Sequence, residues 1–199
     1  MGSKPTFQYE RELMKQGFRT IVGVDEAGTG ALAGPVVAGA VVLPIDSRLG
    51  QINDSKQLIP ALRAGMYELI LERATTWAVG SVSVEEIAVL GLRPANLLAM
   101  HRAVEQIQFA DYALVDAWTI TNLTIPQHGI IRGDQLVKSI AAASIIAKVT
   151  RDRLMTELSS QYPEYGFDIH KGYATLLHRN AIKKYGPCPI HRLSYKTFS

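Results

Sequence analysis

The chain has 199 residues, 47% hydrophobic and 20% charged, a composition that suits one globular domain and excludes a disordered, collagen-like or coiled-coil chain. Cys188 is its only cysteine, which excludes a disulfide framework and a multi-cysteine zinc site. The net charge of +3 is unevenly spread. Lys171, Arg179, Lys183, Lys184, Arg192 and Lys196 follow Ile169 with no Asp or Glu among them, so the remainder carries 15 basic against 18 acidic residues.

Residues 1–19 are polar and carry no apolar core of the signal-peptide kind. No stretch approaches the roughly 20 apolar residues of a membrane-spanning helix. The expectation is a cytoplasmic protein with no membrane partner. Arg19 to Val24 is β-branched and apolar and stops at Asp25-Glu26, so it reads as a strand. Gly28-Thr29-Gly30-Ala31-Leu32-Ala33-Gly34-Pro35 then leads into the valine-rich run Val36 to Leu43, and the two strands suggest a hairpin with a long connection. Asn53, Asp54, Ser55 and Lys56 offer cap residues for a helix near 61–75. A third strand is expected at 77–84, with Ser83 and Glu86 spaced as a capping box. Pro94 suits the first turn of a helix over 95–106. Tyr112 to Asp116 reads as a short buried strand that ends on a carboxylate, and the longest helix is expected over Lys138 to Gln161. A last helix near 174–185 stops at Gly186-Pro187. Strands alternating with helices give an α/β domain with a mixed sheet flanked by helices. The expected organisation is one domain over 1–199, with a basic, helical segment over 160–199 as an attachment.

The carboxylates carry the chemistry. Asp25 and Asp116 each close an apolar run, and open α/β sheets place their binding crevices at such strand ends. Asp134 follows Arg132-Gly133 just before the long helix. Glu26 neighbours Asp25, and neighbours in a regular strand face opposite ways, so both reach one site only if the chain leaves strand geometry there. Carboxylates gathered in one cleft repel unless a cation neutralises them, and hard oxygen ligands select Mg²⁺ or Mn²⁺. Taken singly, each reads more readily as a solvated strand end or a cap, and only three or four together make the metal reading competitive. The glycine-rich segment is neither a P-loop nor a dinucleotide fingerprint; its open backbone allows close approach to a ligand. Lys148 and Asp152 lie four apart on one helix face and read as an ion pair, with Asp152 as a further metal-site residue the less ordinary reading. Lys171 and Tyr173, in HKGYAT, suit a phosphate and a sugar or base respectively, or simple half-buried packing. Cys188 reads as a structural thiol, Trp77 and Trp118 as core or half-buried packing.

Five stretches, in this order, resemble the ribonuclease HII family: VDEAGTGALAGPVVAGAVVLP, NDSKQL, LVDA, GDQLVKSIAAASIIAKVTRDRLM and HKGYATLLH, closed by GPCPIHR. The resemblance implies a ribonuclease H-like fold and a metal-dependent endonuclease. It would hydrolyse the RNA strand of RNA–DNA hybrids and cut at ribonucleotides embedded in duplex DNA, leaving 3′-hydroxyl and 5′-phosphate ends. It implies that Asp25, Glu26, Asp116 and Asp134 are the catalytic metal-site residues, holding Mn²⁺ or Mg²⁺, two ions during catalysis. It places Gly28, Thr29 and Gly30 at the family's Gly-Arg-Gly position, which reads the ribose 2′-hydroxyl through backbone groups, and Tyr173 at the tyrosine that packs on the sugar. Lys56 and Lys171, with the basic C-terminal residues, are expected on phosphate. A monomer is expected. Two departures stand out: Thr29 replaces the family arginine, and residues 88–96 depart from an Asp-x-x-Asn-Ile-x-x-Ala-Thr pattern. Two alternatives stay open, a hybrid-binding protein with impaired catalysis or altered junction specificity because of Thr29, and a related nuclease acting on DNA alone.

Overall fold

Burial on both faces decides which segments become central strands. In the computed structural model, which describes residues 4–47, 49, 52 and 59–195, β1 (Ile21–Ala27) and β2 (Val36–Val42) occupy the middle of the sheet, and every residue of β2 is buried. With β3 (Thr76–Val82), β4 (Tyr112–Asp116) and β5 (Gln127–Ile130) they form one five-stranded sheet in the order β3-β2-β1-β4-β5. β1 pairs antiparallel with β2, and β2 with β3; β1 runs parallel to β4, and β4 to β5. The expected hairpin is thus present, with the glycine-rich segment as its connection.

Small residues let helices lie directly on this sheet. One face is covered by α5 (Lys138–Gln161), whose Ala141, Ala142, Ala143 and Ala147 are fully buried, and by α2 (Pro60–Arg73) and α1 (Gln8–Lys15). A Cβ on Gly39 would stand 2.5 Å from the Ala143 carbonyl oxygen, and one on Gly23 2.2 Å from the Ser139 carbonyl carbon. α3 (Val84–Leu90) and α4 (Leu92–Glu105) cover the other face, where Ile87, Ala99, Met100 and Ala103 pack against Val22, Val24 and Ala40. Ser83 caps α3 as expected: its hydroxyl accepts from the Glu86 amide at 3.3 Å, and Glu86 Oε2 accepts from the Ser83 amide at 2.9 Å.

The helix over 138–161 has the expected limits. The last helix, α7 (Leu176–Tyr185), begins at a Thr175 cap and stops at Gly186. Short α6 (Phe167–His170) precedes it. These two helices build a core of their own, with Met155, Tyr165, Phe167 and Cys188 buried together and His170, His178 and His191 alongside. The helix α1 was not anticipated, since only Tyr9, Leu13 and Met14 of its residues are apolar. Of the core and half-buried readings for Trp77 and Trp118, the core one is not met: they are 40% and 36% exposed. The cap reading of Asn53 to Lys56 lies outside the described residues.

Candidate active site and nucleic-acid interface

Parallel pairing brings the first two carboxylates together. Val24 of β1 pairs with Val115 of β4, so Asp25 and Asp116, one residue further along, leave the sheet side by side at its carboxyl edge. Asp25 is 4% exposed. It accepts a 2.7 Å bond at Oδ1 from the Glu26 amide and a second bond from the Ser144 hydroxyl of α5. Burial, reinforced by the negative charges of Glu26 and Asp116, pushes its carboxyl well above the usual carboxylate range.

Asp134 arrives by a different route. Asp116 Oδ1 accepts a 2.7 Å bond from the Gly133 amide, which holds a buried 3₁₀ turn, Gly133–Gln135, against the end of β4. Arg132, with φ 57°, turns the chain into it. Glu26 departs from expectation. The β1–β2 pairing continues through Glu26↔Ala38 to Ala27↔Val37, so the strand does not break between Asp25 and Glu26 and the two side chains leave on opposite faces. Glu26 takes the side of Val22 and Val24, towards α4. Its carboxylate nevertheless acts electrostatically on Asp25, and its Oε2 lies out of contact with solvent.

The donor set suits a hard divalent cation: it is all oxygen, gathered at one sheet edge, and includes a carboxylate whose charge a cation would relieve. Among the described residues, no three His, Cys, Asp or Glu side chains are arranged to hold a metal ion between them.

The glycine-rich connection runs beside this edge and is held from beneath. Gly28 has φ +98°, and a Cβ there would fall 2.0 Å from Arg151 Nε, so only glycine fits. Arg151 is fully buried and donates to the carbonyls of Ala33, Pro35 and Lys171 at 2.9–3.0 Å. Arg192, 1% exposed, donates to the carbonyls of Thr29, Gly34 and Pro35. Gly30, by contrast, is exposed and faces open space. The C-terminal segment docks on the same loop through Ala31↔Tyr173 and Ala33↔His191 bridges.

Tyr173 therefore lies beside Gly28 to Gly30. Lys148 Nζ sits 4.9 Å and the Arg151 guanidinium 5.2 Å from the centre of its ring. Lys171 does not accompany it: in a left-handed conformation (φ 53°), its ammonium bonds Thr156 Oγ1 at 2.8 Å and the Asp168 carbonyl. Asp152 bonds Lys148 at 2.7 Å and lies 3.9 Å from Arg63, the ordinary ion-pair reading. Of the basic C-terminal residues, Arg179, Lys183 and Lys184 are exposed on α7. Arg192 is turned inward, a correction to its expected place on phosphate. Lys56 and Lys196 lie outside the described residues. Sequence reasoning missed Arg151 and the Ser144 bond. Ser144 sits in the small-residue run of α5 and carries no distinguishing signal, and Arg151 follows that run among other charges, Lys148, Asp152 and Arg153, so nothing local marked it as the one that is buried.

A family model described as Ribonuclease HII matches residues 22–198. A ribonuclease HII of Pelotomaculum thermopropionicum is 50% identical over 191 residues, covering 94% of this chain and 72% of that protein. One of Syntrophotalea carbinolica is 48% identical, covering 94% and 90%. Among solved structures, the ribonuclease H2 of Pyrococcus horikoshii OT3 superimposes with a TM-score of 0.76 at 26% identity, over 90% of this chain and 95% of that one. Bst-RNase HIII in complex with Mn²⁺ gives a TM-score of 0.71 at 19% identity, over 93% and 70%, a likeness of fold.

Proposed function

The chain belongs to the ribonuclease HII family, endonucleases acting on the RNA strand of RNA–DNA hybrids, and on that premise we propose that Asp25, Glu26, Asp116 and Asp134 form its hydrolytic centre. The observation that carries this reading is the side-by-side exit of Asp25 and Asp116 from parallel strands, with the Gly133–Asp116 bond drawing Asp134 to the same edge. The family is metal-dependent. For this chain we read the ions as Mn²⁺ or Mg²⁺, two during catalysis, held at the sheet edge by Asp25, Asp116 and Asp134, with Glu26 adding its charge from the opposite face of β1. A bound pair of such cations supplies activation of water and stabilisation of the leaving oxygen. The protein's own part is to present the carboxylates deprotonated and to fix the phosphodiester against them. It also has to exclude strands without a 2′-hydroxyl, the one group that separates RNA from DNA locally.

The loop at Gly28, Thr29 and Gly30 serves the last task through its main chain, and Tyr173 packs on the sugar at the RNA-to-DNA step. Cutting at single ribonucleotides in duplex DNA, leaving 3′-hydroxyl and 5′-phosphate ends, follows from the same contacts. Arg179, Lys183 and Lys184 on α7 meet the duplex backbone, so affinity falls with added salt. The test is Asp116→Asn assayed on a labelled hybrid with Mn²⁺. Cleavage is expected to fall by roughly a hundredfold or more, as for loss of a main electrostatic contributor to a transition state, while the hybrid still shifts in a gel. Cleavage at the wild-type rate would overturn the site. Equal cutting of an all-DNA duplex would overturn the 2′-hydroxyl reading.

A further inference from the structure

The connection between β1 and β2 is shaped from below by cations rather than by its own side chains. Arg192 Nε and Nη2 donate to the Gly34 carbonyl at 2.9 and 2.8 Å, and Nη1 donates to the Thr29 carbonyl at 3.2 Å. The Tyr195 hydroxyl closes a triangle, accepting from Arg192 Nη1 at 2.9 Å and donating to the same Thr29 carbonyl at 3.1 Å. Neither Arg151 nor Arg192 forms a salt bridge among the described residues. Their charges are spent on main-chain carbonyls of residues 29–35 and 171 and, for Arg192, on the Tyr195 hydroxyl. In a planar trans peptide the carbonyl and the following N–H point in opposite directions. Drawing the Thr29 carbonyl inward therefore turns the Gly30 N–H outward. That is where Gly30 is exposed, and where an added Cβ would meet nothing within 4 Å.

We propose that Arg192, with Tyr195 as its strut, is a positioning residue for ribonucleotide selection: it locks the Thr29–Gly30 peptide so that the Gly30 amide faces the ribose of the bound strand. The inference rests on the proposed function and deepens it. Selection at this loop is then a property of a fixed peptide plane, which is how a chain with threonine at position 29 keeps a loop that reads an oxygen on the sugar. Arg192 does this from outside the loop, more than a hundred and fifty residues away in sequence, and from a buried place where it touches no substrate.

Tyr195→Phe isolates the strut, because it keeps the ring and removes only the hydroxyl. In an Asp116→Asn background, where binding is measured without cleavage, fluorescence anisotropy compares a DNA duplex carrying one ribonucleotide with the all-DNA duplex of the same sequence. Removing the hydroxyl should cut the preference for the ribonucleotide about threefold to tenfold, the scale of one hydrogen bond, with the affinity for all-DNA duplex unchanged. Arg192→Lys, which keeps the charge and loses the fork, should shift the preference the same way. An undiminished preference in Tyr195→Phe overturns the proposal, and so does an equal loss of affinity for both duplexes, which marks general damage. A parent protein with no preference at all would refute ribonucleotide reading itself, the premise beneath.

Discussion

A carboxylate at a covered strand end loses its hydration, and at Asp25 the nearby charges of Glu26 and Asp116 add to that loss. Its folded-state affinity for a proton is therefore raised, so between the ordinary carboxylate range and that raised value the folded chain binds more protons than the unfolded one. Stability from this group then declines as pH rises through the window. A divalent cation reverses the balance, since it binds the deprotonated carboxylates. Thermal melts with chelator and with saturating Mn²⁺ should show a metal-induced rise in Tm that grows with pH. Asp25→Asn should remove most of that growth; a metal shift independent of pH in the wild type would contradict the account. The candidate status of Asp25 was legible because it closes a β-branched, apolar run in company with the other carboxylates at strand ends. The bond from Ser144 was not, because a serine 119 positions later carries no sign of which strand it will cover.

At the scale of elements, the site depends on how closely α5 lies on β1 and β2. Gly39 pairs with Asp25 across the sheet, and its missing side chain lets the Ala143 carbonyl come within 2.5 Å of where a Cβ would stand. Gly39→Val must push the helix outward and carry Ser144 with it. The expected cost is about 1–3 kcal/mol of overpacking, read from the denaturant midpoint, together with weaker Mn²⁺ binding. A variant of wild-type stability and metal affinity would show that the close approach is dispensable. The helix itself was readable from its run of small and apolar residues, and its limits matched. The pairing at Glu26 was not: the glycines after it permitted a departure from strand geometry, yet register with β2 holds the strand together as far as Ala27, because buried backbone groups keep their partners.

Across the whole molecule, the C-terminal segment is tied to the glycine-rich loop at Ala31, Ala33 and the two buried arginines. Its own core contains the buried histidines. His178 stacks on His170 at 4.2 Å, and its Nε2 lies 3.0 Å from that of His191. Burial and the two neighbouring rings push His178 down to about 4. A histidine with a lowered folded-state pKa binds fewer protons folded than unfolded, so its contribution is present above about 6.5 and is lost as pH falls towards about 4. Hydrogen exchange corrected for intrinsic rates should show protection over residues 165–192 falling between pH 6.5 and 4.5 more than protection in the sheet. Uniform loss across the chain would place the acid-sensitive element elsewhere. The slope from Asp25 has the opposite sign, and the regional readout keeps the two apart.

By itself the amino-acid order determined the α/β class, the family, the long helix and the capped turn at Ser83, and it singled out the four acidic residues as candidates. Each of these is written in local periodicity, in cap chemistry or in contiguous motifs. Only the tertiary structure decided that β4 would run parallel beside β1, which places Asp116 next to Asp25, and that Arg151 and Arg192 would turn inward to grip loop carbonyls instead of phosphate. A guanidinium reads the same in sequence whether it meets water, a phosphate or a peptide. Which of these it meets depends on what the packed sheet and the C-terminal helices leave unsatisfied in its reach.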